Sequence, residues 1–426
     1  MYLQGVSIFT AVRNGCPCQP WCGQRKQLST SPVFGQRELS KPAGNSGMGN
    51  EHPLKKVLVP YILTGYGHFI IAQAIALYLK KKKPDWDVRL FELASEFKDQ
   101  ALERFYKQAW RYILQMPTIA AQVVFGVEEA LPALSSFVNG RLIHSAVLKA
   151  MGFLAGYKPD LIMSTHWGCT HIFNQARKKV EYEVPLWYVY TELAGGYQLM
   201  NCGADKYFVM SDEAGKALQG EGIAAEKLER IDLVVRPQFA DQIISKESAR
   251  CGLGLPVDDF ILLFSVGGEG IGPTFSFINA FIKTVKQGRI LVATGRNEKL
   301  CDELQIKFKD KRVMPLGFRE DIERLMAASD VMAGKCGASY SMEAVIMRRP
   351  FIVTSIGAPS ERPNMKYIVE NGFGWYASTP AHFTKLLEIF MTDKTLYQNA
   401  LNKLGKISRI NGAETVAADI VQYFKR

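Results

Sequence analysis

Two glycine-rich turns carry the clearest chemistry in this sequence. The first is Gly267-Gly268-Glu269-Gly270-Ile271-Gly272-Pro273. The second runs from Gly334 and Lys335 through Gly337, Ser339 and Ser341 to Glu343. Each follows a short apolar run that reads as a strand and precedes a helical segment. Glycine lets backbone N–H groups come close to a phosphate, and a helix N-terminus adds about half a positive charge. A tight strand-to-helix turn explains one such loop without any ligand. Two in the same half of the chain, on one strand edge, point to a nucleotide diphosphate. Neither is a Walker loop, and neither has the dinucleotide fingerprint with its downstream acid. Glu343, one turn into the second helix, has two readings. It accepts hydrogen bonds from vicinal ribose hydroxyls, or it is a first-turn acid favoured by the helix dipole. Glu361 and Asn364 follow the next strand, where Asn364 also fits a helix cap.

Such loops must be held by strands. From residue 55 the pattern is strand, loop, helix, repeated: 57–63 is apolar, 64–68 breaks it, and 69–82 reads as a helix. Residues 87–93, 161–164, 186–190 and 207–210 are further strand candidates. A hinge-like stretch, 236–256, separates these from a second series at 260–266, 290–293, 313–316, 331–333 and 351–354. The expectation is two doubly wound α/β domains with parallel sheets, spanning 54–240 and 241–426. Ligands in such sheets sit beyond the carboxyl ends of the strands, where all these motifs fall. The last helix, with Val416, Ile420, Val421 and Phe424 at helical spacing, is expected to pack back on the protein.

The chain has 426 residues, 47% hydrophobic and 22% charged, with a net charge of +11. That length suits two domains and a tail. The basicity favours an anionic partner: nucleic acid, a membrane surface or a phosphate-bearing substrate. Nucleic acid is a poor fit, because no recognition module or sustained basic-aromatic stripe is present. The most apolar stretch, 118–138, is interrupted by Glu128, Glu129 and Pro132, so any membrane role is expected to be peripheral. Residues 1–53 have few acids and several scattered Arg and Lys residues. They read as an organelle transit segment, or as an over-extended start before Met48. Cys16, Cys18 and Cys22 lie close together there, but no second half of a metal site matches them.

Taken together, the motifs resemble monogalactosyldiacylglycerol synthases and their bacterial diacylglycerol glucosyltransferase relatives. Residues 267–273 are similar to the family's G-G-E-G-x-G-P loop. Arg236-Pro237-Gln238-Phe239 is similar to R-P-x-F, and Lys335 to Ala344 to the K-x-G-x-x-T-x-x-E-A donor motif. Glu361 with Asn364 fits E-x-x-N, and Asn371-Gly372-Phe373-Gly374 fits N-G-x-G. In the first half, Gly65-Tyr66-Gly67-His68 is similar to G-G-G-H, and Pro159-Asp160-Leu161 up to His166 to P-D-x-I-x-x-x-H. The departures cluster at the acceptor side. Tyr66 replaces a glycine, Thr191-Glu192 stands where the family has Thr-Asp, and the aromatic and His residues expected after that pair are missing. Ser341 or Tyr340 stands near the family's threonine, and Pro359 sits one place late.

The resemblance implies the GT-B fold, two Rossmann-like domains with a cleft between them. It also implies an inverting transfer of a hexose, galactose or glucose, from a UDP-sugar to diacylglycerol. The implied donor site comprises Gly267, Gly268, Glu269, Gly270, Lys335, Gly337, Ser339, Ser341, Glu343, Glu361 and Asn364. His68 becomes the candidate base, since a neutral imidazole at a strand end suits removal of a hydroxyl proton. Glu192 orients or assists it, and Gly67 and His166 lie on the acceptor side. His166 reads equally well as a satisfied near-core histidine. The donor loops would do what a metal does elsewhere, so no cofactor or metal is expected. The one obvious Asp-x-Asp, Asp85-Trp86-Asp87, starts a strand in the wrong domain.

A helix over 101–116 would place Arg104, Lys107 and Arg111 on one face, with Trp110 at its flank. That suits an interfacial helix on anionic lipids, or an ordinary domain helix with a solvated basic face. Lys80 to Lys83 adds charge nearby. The implied location is peripheral, on a cytoplasmic membrane face, or on a plastid envelope if the tail is a transit peptide. Three other outcomes fit the same scaffold: an N-acetylglucosaminyltransferase, a UDP-sugar 2-epimerase, and an inactive subunit binding lipid or UDP-sugar.

Overall fold

The computed structural model describes residues 54–63, 67–104, 106, 132–195, 201–266, 274–357 and 361–426. They form two parallel six-stranded sheets. The first comprises β1 (Lys56–Tyr61), β2 (Asp87–Glu92), β3 (Leu161–Ser164), β4 (Leu186–Val189), β5 (Lys206–Val209) and β6 (Leu228–Arg230). Their spatial order is β2-β1-β3-β4-β5-β6. The second comprises β7 (Phe260–Ser265), β8 (Gly288–Ala293), β9 (Val313–Leu316), β10 (Val331–Lys335), β11 (Phe351–Ser355) and β12 (Gly374–Tyr376), ordered β12-β11-β10-β7-β8-β9. The three-residue strands β6 and β12 escape sequence reading, because each is a short sheet edge with no apolar run of its own.

The helices that cover the first sheet are α1 (Gly67–Lys82), α2 (Pro132–Tyr157), α3 (Trp167–Lys179) and α4 (Asp212–Gly220). After α5 (Lys246–Gly252), the second half carries α6 (Thr274–Thr284), α7 (Glu298–Lys307), α8 (Ile322–Ala328), α9 (Ala338–Ile346) and α10 (Arg362–Glu370). The chain ends with α11 (Pro380–Thr392), α12 (Thr395–Gly405) and α13 (Gly412–Tyr423). Side chains alternate across each strand. Val57 and Val59 join the core that includes α1, while Leu58 between them joins Ile172 and Phe173 of α3 on the opposite face. In the second sheet Ile261 and Leu263 face one core, while Leu262 and Phe264 face Phe277 and Phe281 of α6. Both faces are covered, which is why these strands read as continuous apolar runs rather than alternating ones.

The stretch 236–256, expected to be a hinge, carries structure of its own: the short helix Pro237–Ala240 and then α5. Ser245 caps α5 by accepting from the Ser248 N–H at 3.1 Å. Arg250, 2% exposed, ties α5 to the second domain through Asp330 (2.7 Å) and the Ala328 carbonyl (2.9 Å). The chain then returns to the first sheet. Asn411 donates to the Val235 carbonyl at 2.7 Å and caps α13, which lies along α1. Phe424 meets Trp86 edge-on at 5.2 Å, and Lys82 pairs with Glu414 at 2.9 Å.

That packing changes the reading of the Lys80–Lys83 run. Lys80 donates to the Trp86 carbonyl, Lys81 faces Asp241 at 3.5 Å and Lys82 faces Glu414. Lys80 and Lys82 therefore brace Trp86 and α13, while Lys81, its side chain 70% exposed, remains largely open to solvent. No helix among the described residues is long and apolar enough to cross a membrane.

Candidate active site

Each sheet has one place where the strand order reverses direction. In the first it lies between β1 and β3, and in the second between β7 and β10. Loops leaving two adjacent strands there diverge to opposite faces and open a crevice. The first crevice receives His68 from the start of α1 and Thr165 and His166 from the end of β3. The second receives the loop after β10, from Lys335 through Gly337 into α9. The two crevices face each other. A methyl group added to Gly67 would sit 3.4 Å from the Ser339 hydroxyl oxygen, so the N-termini of α1 and α9 are in contact.

His68 is held by one ring nitrogen. Its Nδ1 lies 2.7 Å from the Thr165 carbonyl and 3.3 Å from the Thr191 hydroxyl. A carbonyl only accepts, so Nδ1 carries the proton and Nε2 keeps its lone pair. Burial pushes the imidazole down to about 4, against a smaller opposing effect of the Thr165 hydrogen bond. The ring is therefore neutral at physiological pH, though a weaker base than an ordinary histidine. An anionic diphosphate opposite it would oppose that depression.

His166 is 3% exposed and caps α3, its Nδ1 accepting from the Gly168 N–H at 3.0 Å. Its ring meets His68 edge-on at 4.6 Å between centroids and stacks on Trp167. Burial holds it well below the usual imidazole range. It therefore has a structural task of its own, beside the candidate base. Gly168 beside it is close-packed: a Cβ there would lie 2.9 Å from the Tyr106 hydroxyl, which would have to move aside.

Glu192 does not take the orienting place beside His68; Thr165 and Thr191 do. Its carboxylate turns to the second domain and accepts from Asn364 Nδ2 at 2.7 Å. Burial, the largest effect, raises Glu192 to about 7. Asn364 is fully buried and also accepts from the Leu193 N–H at 3.0 Å. It is thus a bolt between domains rather than a helix cap; the cap position of α10 is Glu361. Beside it Gly195, at φ +83°, touches Pro363 so closely that a Cβ would fall 2.5 Å from the ring, so only glycine fits.

On the donor side, Gly337 begins α9 with no side chain capping the helix. The first-turn N–H groups keep their hydrogen-bonding capacity, which is the arrangement that receives a phosphate. The Ser339 and Ser341 hydroxyls are buried here and have no hydrogen-bond partner among the described residues. Lys335 at the end of β10 pairs with Glu361, whose other oxygen accepts from the Gly357 N–H at 2.7 Å. Glu343, 4% exposed, accepts from Arg236 Nε at 3.1 Å and Nη2 at 2.9 Å, both on Oε1. Sequence reading misses Arg236, Thr165 and Thr191 as partners. Arg236 lies 107 positions from Glu343 and Thr165 lies 97 from His68, so no local spacing links them.

Some expected residues lie outside the described ones: Gly267, Gly268, Glu269 and Gly270 of the first loop, Tyr66, Lys107, Trp110, Arg111, Pro359, and the whole tail. Arg104 is described and exposed. Asp87 accepts from the Tyr157 hydroxyl at 3.0 Å, in keeping with a structural role for the Asp-x-Asp. Among the described residues no group of three His, Cys, Asp or Glu side chains is arranged to hold a metal.

Residues 68–235 match the family model described as monogalactosyldiacylglycerol (MGDG) synthase. A probable chloroplastic monogalactosyldiacylglycerol synthase of Glycine max is 27% identical over 382 residues, 84% of this chain and 69% of its own length. Monogalactosyldiacylglycerol synthase 1 of Arabidopsis thaliana is 25% identical over 373 residues, 85% and 68% respectively. Among solved structures, MnaA of S. aureus with UDP superposes with a TM-score of 0.56 at 15% identity, covering 87% of this chain and 96% of that one. MurG of Acinetobacter baumannii gives 0.56 at 13%, covering 87% and 99%. These structural likenesses concern the fold, which is the two-domain GT-B arrangement.

Proposed function

We infer that this chain, similar to the monogalactosyldiacylglycerol synthases and built on a GT-B scaffold, is a UDP-sugar-dependent glycosyltransferase that makes a glycolipid. In its finer form, the reading is inverting transfer of galactose or glucose to diacylglycerol at a membrane surface. One observation carries it: a histidine with its free nitrogen unprotonated stands at the first switch point, and the uncapped start of α9 meets that histidine's helix from the second.

The chemistry follows from those two parts. His68 Nε2 takes the proton of the acceptor hydroxyl as its oxygen forms a bond to the sugar's anomeric carbon. The bond from that carbon to the diphosphate oxygen breaks, and its electron pair leaves with UDP. The α9 amides, the Ser339 and Ser341 hydroxyls and Lys335 stabilise the departing charge. The acceptor attacks opposite the leaving group, so the anomeric configuration inverts. The reaction as written needs no metal. The lipid places the enzyme at the bilayer surface, with anionic lipids as docking partners for its basic charge. The relatives are named chloroplastic, which favours a plastid envelope.

The test is incubation of the full chain with radiolabelled UDP-galactose or UDP-glucose and liposomes containing diacylglycerol and an anionic lipid. Label in the organic phase, lost in His68→Ala, is the expected result. Label remaining in an altered UDP-sugar would replace the reading with an epimerase. Binding without turnover would replace it with an inactive subunit.

A further inference from the structure

Arg236 leaves the first sheet just after β6 and begins the linker, yet its guanidinium reaches into the second domain. It stacks on Phe239 at 4.6 Å and gives both of its hydrogen bonds to one carboxylate oxygen of Glu343, Oε1. Both Arg236 hydrogen bonds end on Oε1, so this pair leaves Oε2 unengaged. A fully charged carboxylate this buried is costly unless paired. The groups facing it are Arg236 from the linker, Glu323 from α8 and the neutral Tyr340 hydroxyl on its own helix. Only Arg236 favours the charge. Glu323 opposes it, and burial, the largest effect, raises Glu343 above the ordinary carboxylate range.

We propose that Arg236 is a positioning residue for the nucleotide: it fixes Glu343 through Oε1 as a carboxylate and leaves Oε2 to accept from the ribose hydroxyls. The proposal rests on the UDP-sugar reading and gives the interdomain linker a direct part in donor binding. A protonated Glu343 would present a donor on one of its oxygens and lose one acceptor. Because Arg236 sits at the domain junction, a displacement of the linker would also release the carboxylate.

The experiment is calorimetric titration of the full chain with UDP and with 2′,3′-dideoxy-UDP from pH 6 to 8.5, after thermal melts have shown each variant folded. The readout is the affinity gap between the two ligands, which isolates the ribose contact. Arg236→Gln is expected to narrow the gap about tenfold at pH 7, the ratio that one charge-assisted hydrogen bond supports. Raising the pH should restore part of it, because Glu343 then ionises unaided. Arg236→Lys should keep most of the gap and serves if the glutamine variant does not fold. An unchanged gap in Arg236→Gln at every pH, or equal losses for both ligands, would overturn the proposal. Glu343→Gln separates the underlying reading: it should narrow the gap independently of pH. An intact gap in that variant means Glu343 does not hold the ribose, whatever Arg236 does.

Discussion

Glu192→Gln changes one charge and little else. Asn364 donates to Glu192 Oε2, and a glutamine carbonyl accepts the same hydrogen bond. In the native chain burial lifts Glu192 from an ordinary 4.5 to about 7, aided by Glu361 and opposed by the Asn364 bond and Lys335. An acid raised on folding favours the native state while it is protonated. Glu192 therefore costs the wild type nothing below pH 4.5 and lowers its stability progressively as pH rises to about 7, since unfolding releases a proton across that window. At 1.36 kcal/mol per pKa unit the full effect is about 3 kcal/mol, reduced to about 2 kcal/mol by the solvent that reaches a half-buried group. Denaturant unfolding of both proteins between pH 4 and 8 measures it. The variant should match the wild type at pH 4 to 4.5, then gain progressively to about 2 kcal/mol at pH 8. A stability difference that is flat with pH, or a glutamine variant less stable at pH 8, would refute the argument.

Asn364→Ala removes the donor to Glu192 and the acceptor for the Leu193 N–H at a fully buried position. It should cost about 3 kcal/mol in denaturant unfolding, and a loss under 1 kcal/mol would mean the bolt is dispensable. His68→Ala should abolish lipid transfer while leaving UDP affinity within about threefold by calorimetry, about 0.6 kcal/mol. Normal turnover would remove His68 from the mechanism. With His68 held near 4, the acid limb of kcat/KM should fall well below pH 6, and a pH–rate profile with its midpoint near 6.5 would contradict the buried geometry. Prolonged EDTA treatment should leave transfer unchanged; activity restored only by added divalent cations would assign the leaving-group charge to a metal.

The sequence by itself determined the elements and the switch-point loops. Eight of the strands are buried along most of their length, so their apolar runs announce them directly; the edge strand β2 shows instead by its alternation. Lys335, Gly337 and His68 sit at strand-to-helix turns whose position follows from those runs. What only the tertiary structure decided is how those loops are tied. Thr165 fixes the tautomer of His68, Arg236 holds Glu343, and Asn364 joins Glu192 and Leu193 to α10. In the Lys80–Lys82 run, which looks like a membrane-facing charge cluster, Lys80 and Lys82 are turned toward Trp86 and α13. The reason is physical: periodicity and turn chemistry are local properties of the chain. A hydrogen bond across about 100 or more positions depends on which distant segments meet, within the first domain for His68 and Thr165 and between domains for Glu192 and Asn364, and no spacing in the sequence records that.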